Sequence, residues 1–307
     1  MKNKTLVYAT YLALITAVIS GFSNFLNKIA VTAIKDPIVF TTLKNSLVAI
    51  FIIGAILVFK KLPEILSLNK KQITKLLLIG IIGGSLPFAL FFTGLTKTSA
   101  LNAALIHKTL FIWVLLLAIP ILKERLSKMQ WLGISAIFAA NLIVGGFTGF
   151  RYNAGELMIL AATILWAIEN VIAKIALKDI SSLTVASARM TIGSIILLSF
   201  VILKGGASAM FVLNPEQWLW TLIPSFLLLG YVISWYTALK YAPATYVATL
   251  LVPATLITNI LSAIFITRAF TLTQFASAIL LALGTILVVF FAKKVAAAPQ
   301  SELETVR

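Results

Sequence analysis

The distribution of charge along the chain constrains its fold more than any other feature. Ten hydrophobic stretches, named here spans 1 to 10, follow one another from end to end, and nearly every lysine and arginine lies between them. Each span has at least the ~20 residues that a helix needs to cross the hydrocarbon core of a bilayer. The chain is therefore predicted to be an all-α polytopic membrane protein with ten transmembrane helices. The spans cover residues 5–27, 37–59, 76–96, 99–122, 129–150, 156–177, 181–203, 217–239, 241–267 and 269–292.

Basic residues are concentrated in alternate gaps between the spans. The poorer gaps hold Lys35, Lys97, Arg151, Lys204 and Arg268. The richer gaps hold Lys2, Lys4, Lys60, Lys61, Lys70, Lys71, Lys75, Lys123, Arg125, Lys128, Lys178, Lys240, Lys293, Lys294 and Arg307. Because membrane proteins keep their more basic loops in the cytoplasm, this asymmetry predicts that both termini are cytoplasmic.

The composition excludes several classes of protein. Hydrophobic residues make up 61% of the chain and charged residues 11%, and the mean hydropathy of +1.06 lies far above that of soluble domains. The formal net charge of +16 is spread over short loops and not over one face, so a nucleic-acid partner is not expected. We expect a monomer or homodimer embedded in a lipid bilayer, the inner (plasma) membrane of a prokaryote.

An internal repeat relates the two halves of the chain. The sequence Asn24-Phe-Leu-Asn-Lys-Ile-Ala recurs 146 residues later as Asn170-Val-Ile-Ala-Lys-Ile-Ala. The basic residue Lys44, early in span 2, recurs as Arg189, early in span 7. Paired polar positions within hydrophobic segments rarely coincide by chance, so they indicate a duplication.

The repeat predicts the organisation of the whole chain. Residues 1–150 hold spans 1–5, residues 151–294 hold spans 6–10, and residues 295–307 form a disordered cytoplasmic tail. Because five is an odd number of crossings, the second repeat enters the membrane from the opposite side. Such inverted repeats are typical of secondary transporters, which bind substrate near the bilayer midplane between the two halves.

With these features the chain resembles the drug/metabolite transporter superfamily, in its EamA-like branch. The resemblance rests on the two five-span repeats, on the Asn-x3-Lys-Ile-Ala ends of spans 1 and 6, and on the basic residue early in spans 2 and 7. Similar segments also open spans 4 and 9, namely Gly94-Leu-Thr-Lys-Thr-Ser-Ala-Leu-Asn-Ala-Ala104 and Ala238-Leu-Lys-Tyr-Ala-Pro-Ala-Thr-Tyr-Val-Ala248. The resemblance implies ten helices and a carrier for a small organic solute.

Two pairs of positions depart from the pattern of that family. Pro253 lies within span 9, but its counterpart in span 4 is Thr109. Glu124 follows span 4, but its counterpart after span 9 is Arg268. Spans 4 and 9 are therefore where this chain differs from the pattern of the family.

Ionisable residues inside the spans are the candidates for function, because a charge within a membrane is costly and is rarely kept without a role. They are Lys28, Lys44, Lys108, Lys174, Arg189, Glu169 and His107. Lys108 lies ~13 Å into span 4, near the midplane. A cation there costs on the order of 3 kcal/mol on insertion scales, which an anionic ligand would offset. We expect His107 and Lys108 to contact substrate, with a structural pair to Glu169 or to backbone carbonyls as the alternative.

Glu169 is the only carboxylate in the interior of the predicted spans. Two interpretations of it remain open. Glu169 forms an ion pair with Lys108, Lys44 or Arg189 that allows both charges to be buried, or it binds the ligand and carries a proton. His107 is the second candidate for proton coupling.

Four other polar residues have both a structural and a functional interpretation. Lys44 and Arg189 lie early in their spans and are assigned either to substrate binding or to contacts between the repeats. Asn24 and Asn170 are assigned either to substrate or to hydrogen bonds between helices. Lys28 and Lys174, near the ends of spans 1 and 6, are expected to extend to the membrane interface.

The resemblance implies that spans 3 and 8 line the substrate cavity. Aromatic residues deep in the spans would then form its apolar wall, with a packing or lipid-facing role as the alternative for each ring. Those assigned to it are Phe91, Trp166, Tyr231 and Trp235. Proline bends helices by removing a backbone donor, and Pro87, Pro224 and Pro253 are predicted to interrupt spans 3, 8 and 9.

The leading functional hypothesis is a secondary carrier that works by alternating access. Five Lys and Arg residues and one His against one Glu favour an anionic ligand, so amino acids or related carboxylate-bearing metabolites are expected. Export is the direction that the resemblance implies. Phosphorylated metabolites or nucleotide sugars are the alternative substrates. A channel or a membrane ligand sensor is the alternative from another class.

An intramembrane enzyme is not expected. The single histidine cannot form a His-x-x-x-His zinc site, and one buried acid cannot form a carboxylate dyad. The chain contains no GxxxxGK[ST] segment for ATP. No metal or cofactor is therefore predicted.

Overall fold

The structure, a computed structural model, describes residues 2–34, 36–95, 97–98, 103, 106–144 and 153–297. All the regular secondary structure in these residues is helical. Eight of the described helices are long and apolar enough to cross a membrane, and they correspond to spans 1–3 and 6–10. The prediction of an all-α polytopic membrane protein is thereby confirmed.

Spans 4 and 5 are helical where the structure describes them. Span 4 is an apolar helix over Ile106–Leu122, and span 5 is a helix over Lys128–Val144. The predicted remainders of these two spans, residues 99–102, 104–105 and 145–150, lie outside the described residues.

Six spans are single helices. Spans 2, 6, 7 and 8 have bounds within two residues of the prediction, whereas span 1 continues to Ile34 and span 10 to Ala297. The six helices cover Lys2–Ile34, Pro37–Val58, Ala154–Ala176, Ser182–Leu203, Pro215–Tyr241 and Leu272–Ala297. Local sequence sets where several of them begin. The side chain of Asp36 accepts hydrogen bonds from the first free amides of span 2, as Ser181 does for span 7. Asn214 and Gln217 form a capping box at the start of span 8.

Spans 3, 4 and 9 are interrupted, each close to a glycine, threonine or proline residue. Span 3 consists of helices Lys70–Ile79 and Leu86–Leu95, joined by a π-helical turn over Gly80–Ser85. Span 9 breaks at Pro253, between Ala244–Leu251 and Ala254–Ser262, and ends in a second π-helical turn over Ala263–Thr267.

Span 4 breaks at Thr109, the counterpart of Pro253. The backbone amide and the hydroxyl of Thr109 both donate to the carbonyl oxygen of Ile106, at 3.0 and 2.6 Å, which tightens the turn. The Thr109 hydroxyl in turn accepts from Nε1 of Trp113 at 3.0 Å. A threonine that bonds back to the preceding turn therefore interrupts span 4 where proline interrupts span 9.

Three sequence expectations about these elements were wrong. Span 8 continues without a break through Pro224, where the hydroxyl of Ser225 bonds the carbonyl oxygen of Thr221 at 2.7 Å. Span 3 begins at Lys70 and not at residue 76, and a short helix, Leu62–Leu66, precedes it in the gap after span 2. Span 10 extends to Ala297, so the first residues of the predicted tail are helical, and residues 298–307 lie outside the described residues.

The packing of the spans pairs elements from the two halves of the chain. Span 1 packs along span 8 and span 3 packs along span 6, while span 2 contacts span 7 and span 5 contacts span 10. Span 4 contacts spans 6 and 9, and span 9 also contacts span 1. Large apolar side chains such as Ile50, Leu116 and Phe290 remain exposed, as expected for surfaces that face lipid.

Candidate functional site

Three buried side chains from spans 6, 7 and 8 meet inside the helix bundle. Glu169 of span 6 is fully buried, and its Oε1 accepts a hydrogen bond from the hydroxyl of Tyr236 in span 8. Nη1 of Arg189 in span 7 lies 3.8 Å from Oε2 of Glu169 and donates to the Tyr236 hydroxyl at 3.2 Å. Of the three cations considered as partners of Glu169, the structure brings Arg189 to it. We call Glu169, Arg189 and Tyr236 the acidic triad, after the carboxylate of Glu169 to which the other two side chains are bound.

Two glycines of span 3 create the space that the acidic triad occupies. A β-carbon on Gly83 would overlap Cγ of Glu169 and lie 2.9 Å from its Cδ. A β-carbon on Gly84 would lie 2.9 Å from Cα of Gly193 and overlap the carbonyl oxygen of Arg189. Only residues without a side chain allow span 3 to pack this closely on spans 6 and 7.

A second set of hydrogen bonds joins spans 3, 6 and 8 beside the acidic triad. Asn170 accepts from Nε1 of Trp235 at 2.9 Å and donates to the carbonyl oxygen of Trp166 at 2.9 Å. Nε1 of Trp166 donates to the carbonyl oxygen of Gly83 at 3.1 Å. The ring of Tyr231 stacks on that of Trp235, with 5.9 Å between centroids and 8° between planes. The amide of Asn170 thus links helices, as the structural interpretation expected.

Three predicted site residues form one aromatic cluster. The His107 ring lies 5.0 Å from that of Trp166 and 5.4 Å from that of Phe91, and Phe91 lies 5.7 Å from Trp166. Phe88 extends the cluster with an edge-to-face contact to Trp166 at 5.2 Å. Nδ1 of His107 is buried and has no hydrogen-bond partner in the described part of the chain. Spans 3, 4 and 6 thus enclose a polar nitrogen among aromatic rings.

Lys108, next to this cluster, has no acidic partner in the structure. Its side chain is half-buried, and neither ion pair found among the described residues includes it. The alternative of a structural pair between Lys108 and Glu169 is therefore wrong, because Glu169 is engaged by Arg189 and Tyr236.

Lys44 of span 2 is the second interior cation without an acid. Its side chain is only 4% exposed, and its ammonium group lies 5.0 Å from the centroid of the Phe40 ring. Next to it on the same helix, Asn45 and Thr41 are buried, and neither the Asn45 amide nor the Thr41 hydroxyl has a hydrogen-bond partner in the residues described. Lys44 and Arg189 therefore differ in their surroundings although the repeat relates them.

The other candidates at the span ends lie apart from these groups. Asn24 is exposed, and the side chain of Lys28 lies outside the described residues. Nζ of Lys174 donates to the carbonyl oxygens of Leu239 and Ala242, both at 2.6 Å, at the end of span 8. The free carbonyls at the end of a helix bind a cation well, so Lys174 caps the end of span 8. Its expected position at the membrane interface stays a prediction.

Glu124 completes this corner between spans 8 and 9. Its two carboxylate oxygens accept from the backbone amides of Ala244 and Thr245, at 2.6 and 2.9 Å, and from the Thr245 hydroxyl at 2.7 Å. These amides open the first helix of span 9, where a negative charge is favourable. Glu124 and Lys174 therefore fix the start of one span and the end of the other.

Sequence analysis did not select Tyr236, Asn45 or Glu124 as site residues. Tyr236 follows Trp235 directly, and the need of a buried tyrosine hydroxyl for a partner was the available signal. Asn45 follows Lys44 and is likewise a polar residue within an apolar span. No group of three His, Cys, Asp or Glu residues that would hold a metal ion occurs among the described residues.

The fold and the sequence both match known proteins. The structure superposes on a solved crystal structure with a TM-score of 0.76, covering 93% of this chain and 98% of that chain at 15% identity, which shows a shared fold. The model of the EamA-like transporter family matches residues 7–146 and again residues 153–290. The chain belongs to the EamA-like transporter family. It is thus a multi-pass integral membrane protein of a transporter family, as the resemblance in its sequence indicated.

Two named relatives cover part of this chain. An uncharacterized transporter of Bacillus subtilis (strain 168), YyaM, is 33% identical over 135 residues, which are 42% of this chain and 44% of that protein. An uncharacterized transporter of Methanothermobacter thermautotrophicus is 26% identical over 136 residues, which are 42% of this chain and 40% of that protein. The chain spans less than half the length of these relatives in the matched region, and neither name states a substrate.

Proposed function

We propose that this EamA-like protein is a secondary transporter that moves amino acids or related carboxylate-bearing metabolites by alternating access, in the direction of export. The observation that carries the proposal is the imbalance of charge in the interior. Glu169 neutralises Arg189, whereas Lys44 and Lys108 have no acidic partner among the described residues. An anionic solute between the helices would offset the charge that these lysines bring into the membrane.

The same proposal includes ten membrane-spanning helices arranged as two inverted repeats. The match of the family model to both halves of the chain supports it, as do the equivalent contacts of span 1 with span 8 and of span 6 with span 3. Equivalent breaks at Thr109 and Pro253 add to this support. The two halves would then rock about the contacts of spans 2 and 5 with spans 7 and 10.

The orientation in the membrane has a direct test, because the chain contains no cysteine. With both termini in the cytoplasm of a prokaryote, Ser208 lies outside the cell and Ser67 inside. A membrane-impermeant maleimide added to intact cells should then label the Ser208→Cys variant and leave the Ser67→Cys variant unlabelled. The reverse pattern would overturn the orientation.

The transport function itself is tested with the purified protein in liposomes. A carrier of amino acids takes up a labelled amino acid with saturation, and the same unlabelled amino acid inside the vesicle accelerates the uptake. Flux without this counterflow indicates a channel, and binding without flux indicates a sensor. Competition by phosphorylated sugars or nucleotide sugars in place of amino acids would move the substrate to the alternative class.

Proton coupling is assigned to Glu169 and His107 within the same proposal. Glu169 can hold or release a proton between Arg189 and Tyr236, and His107 offers an unbonded ring nitrogen. A pH gradient should drive uptake by the wild-type protein but not by the Glu169→Gln variant. An unchanged response of this variant to the gradient would remove Glu169 from the coupling.

A further inference from the structure

Span 2 carries three buried polar side chains that the protein itself leaves without partners. Lys44 is 4% exposed and its ammonium group lies 5.0 Å from the centroid of the Phe40 ring, while Thr41 and Asn45 are almost completely buried. The Thr41 hydroxyl and both polar atoms of the Asn45 amide lack hydrogen bonds in the described residues. With spacings of three and four residues, Thr41, Lys44 and Asn45 lie on one side of the helix.

Buried groups of this kind are normally satisfied, so three together need an explanation. Single polar atoms of other buried side chains, such as the hydroxyls of Thr191 and Ser194, also lack partners, but among the described residues only Asn45 has two such atoms. Other buried polar groups are bonded within the protein. The buried amide of Asn170 bonds both Trp235 and the backbone of Trp166. The neighbouring Thr42 is also buried, and its hydroxyl bonds the carbonyl oxygen of Ile38 at 2.8 Å. The polar groups of Thr41, Lys44 and Asn45 are therefore available to something that is not part of the chain.

The repeat shows which group is missing beside Lys44. Its equivalent, Arg189, is neutralised by Glu169, but the residue equivalent to Glu169 in the first half is Ser23, 146 positions earlier. Likewise, the equivalent of Tyr236 is Phe92, which has no hydroxyl.

The polar residues themselves are also specific to one repeat. At the positions of Thr41 and Asn45 the second half of the chain has Ala186 and Met190. In the first half, Thr41 and Asn45 thus add hydrogen-bonding groups beside Lys44, whereas in the second half the carboxylate of Glu169 lies beside Arg189.

The geometry points to a subsite on span 2, formed by Thr41, Lys44 and Asn45, that binds the backbone of an α-amino acid. The substrate carboxylate takes the place that Glu169 occupies in the second repeat, accepting from the Lys44 ammonium and the Thr41 hydroxyl. Oδ1 of Asn45 accepts from the substrate ammonium, and its Nδ2 donates to the carboxylate. This inference rests on the proposed function.

The subsite is closed in the present conformation. Spans 7 and 8 pack over span 2 and cover it. The hydroxyl of Ser225 in span 8 lies 3.5 Å from the backbone carbonyl oxygen of Lys44, which is a long hydrogen bond. Movement of span 2 away from span 8, as alternating access requires, would open the way to the three side chains.

Three substitutions separate ligand binding from folding. Lys44→Met removes the charge, whereas Thr41→Val and Asn45→Leu remove polar groups that have no partner in the ligand-free protein. Because no internal hydrogen bond is lost, the Tm of ligand-free Thr41→Val and Asn45→Leu should equal or exceed that of the wild type. Thr42→Val is the matched control, since it removes a hydroxyl that is already bonded within the helix.

The measurement is the thermal shift of purified protein with each of the common L-amino acids in turn, followed by a titration with those that stabilise it. We expect Lys44→Met to lose the shift, and Thr41→Val and Asn45→Leu to raise the Kd at least tenfold. Thr42→Val should keep the wild-type Kd. The amine without the carboxylate and the acid without the ammonium should each bind more weakly than the amino acid.

Three results would overturn the subsite, and they differ in what they mean for the proposed function. If amino acids bind the wild type and Lys44→Met equally well, the subsite is wrong and the proposed function stands. A fall in the Tm of ligand-free Thr41→Val and Asn45→Leu with an unchanged Kd also overturns the subsite, because it shows a structural role. If no amino acid binds or is transported by the wild type, the proposed substrate class falls together with the subsite.

Discussion

The guanidinium of Arg189 and the carboxylate of Glu169 lie 3.8 Å apart, with the hydroxyl of Tyr236 bonded to both. This arrangement joins spans 6, 7 and 8 through charges that would be unfavourable if any one of them were alone. If one of these three side chains is removed, a buried charge remains without full compensation. The acidic triad is therefore expected to contribute to stability as well as to function.

Replacing Tyr236 with Phe should lower the free energy of unfolding by about 1–3 kcal/mol, because buried Glu169 and Arg189 each lose a hydrogen bond. Chemical denaturation of the purified protein in detergent measures the change. Tyr231→Phe is the matched control, since its hydroxyl makes no hydrogen bond in the residues described. Equal stability of the two variants would contradict a role of the Tyr236 hydroxyl in holding the triad.

Gly83→Ala should lower the free energy of unfolding by about 1–3 kcal/mol, since the new methyl group overlaps Glu169. It should also weaken transport by displacing the carboxylate. Gly54→Ala is the control, because nothing lies within 4 Å of its added carbon and alanine favours a helix. If Gly83→Ala matches the wild type in stability and flux, span 3 does not pack on Glu169 as described.

Glu124→Gln should lower the free energy of unfolding by about 1–2 kcal/mol, because the neutral amide is a weaker acceptor for the amides of Ala244 and Thr245. Denaturation in detergent again provides the measurement. Glu216→Gln, at the exposed start of span 8, should change the stability by less than about 0.5 kcal/mol. A similar loss in both variants would show that the corner between spans 8 and 9 needs no specific acid.

Acidification should weaken the contact of the short helix Leu62–Leu66 with span 7. Burial alone would raise the pKa of Glu64, but hydrogen bonds from Ser181 and Thr184 and the charge of Lys61 lower this pKa below the usual value of 4.5. A lowered pKa in the folded state adds stability above pH ~4.5 and loses it as the pH falls through the folded value.

The Glu64→Gln variant should therefore lose less stability between neutral pH and pH ~4 than the wild type. The measurement is the Tm as a function of pH. Because Glu64 is partly exposed to solvent, the difference is expected to be small. Parallel pH profiles for the two proteins would show that the bond between Ser181 and Glu64 does not depend on charge.

Lys108→Ala should abolish amino-acid uptake into liposomes while the Tm of the purified protein stays within a few degrees of the wild type. The physical reason is that the ammonium group has no acidic partner within the described residues, so its removal breaks no internal ion pair. Lys204→Ala, in the loop after span 7, is the control and should transport normally. Normal uptake by Lys108→Ala would remove this residue from the substrate site.

Much of the membrane architecture was predictable because hydrophobic length is a property of each segment alone. The bounds of span 2 and span 7 agree with the prediction to within a residue, since Asp36 and Ser181 cap helices that begin where hydrophobicity begins. The break at Thr109 was not predictable in the same way, because threonine interrupts a helix only when its hydroxyl bonds the preceding turn.

The sequence by itself determined that this chain has many membrane-spanning segments and which few charges lie within its hydrophobic spans. It also predicted two repeats, and the family model matches each half of the chain. Only the tertiary structure decided how those charges are paired. Hydropathy places Lys44, Lys108 and Arg189 in the lipid-spanning part equally well, but it carries no information on which side of a helix faces which neighbour. Span 3 packs closely on Glu169 and on the backbone of Arg189 at Gly83 and Gly84, Glu169 pairs with Arg189, and neither lysine has an acidic partner among the described residues. Which charges are paired depends on contacts between segments that are far apart in the sequence.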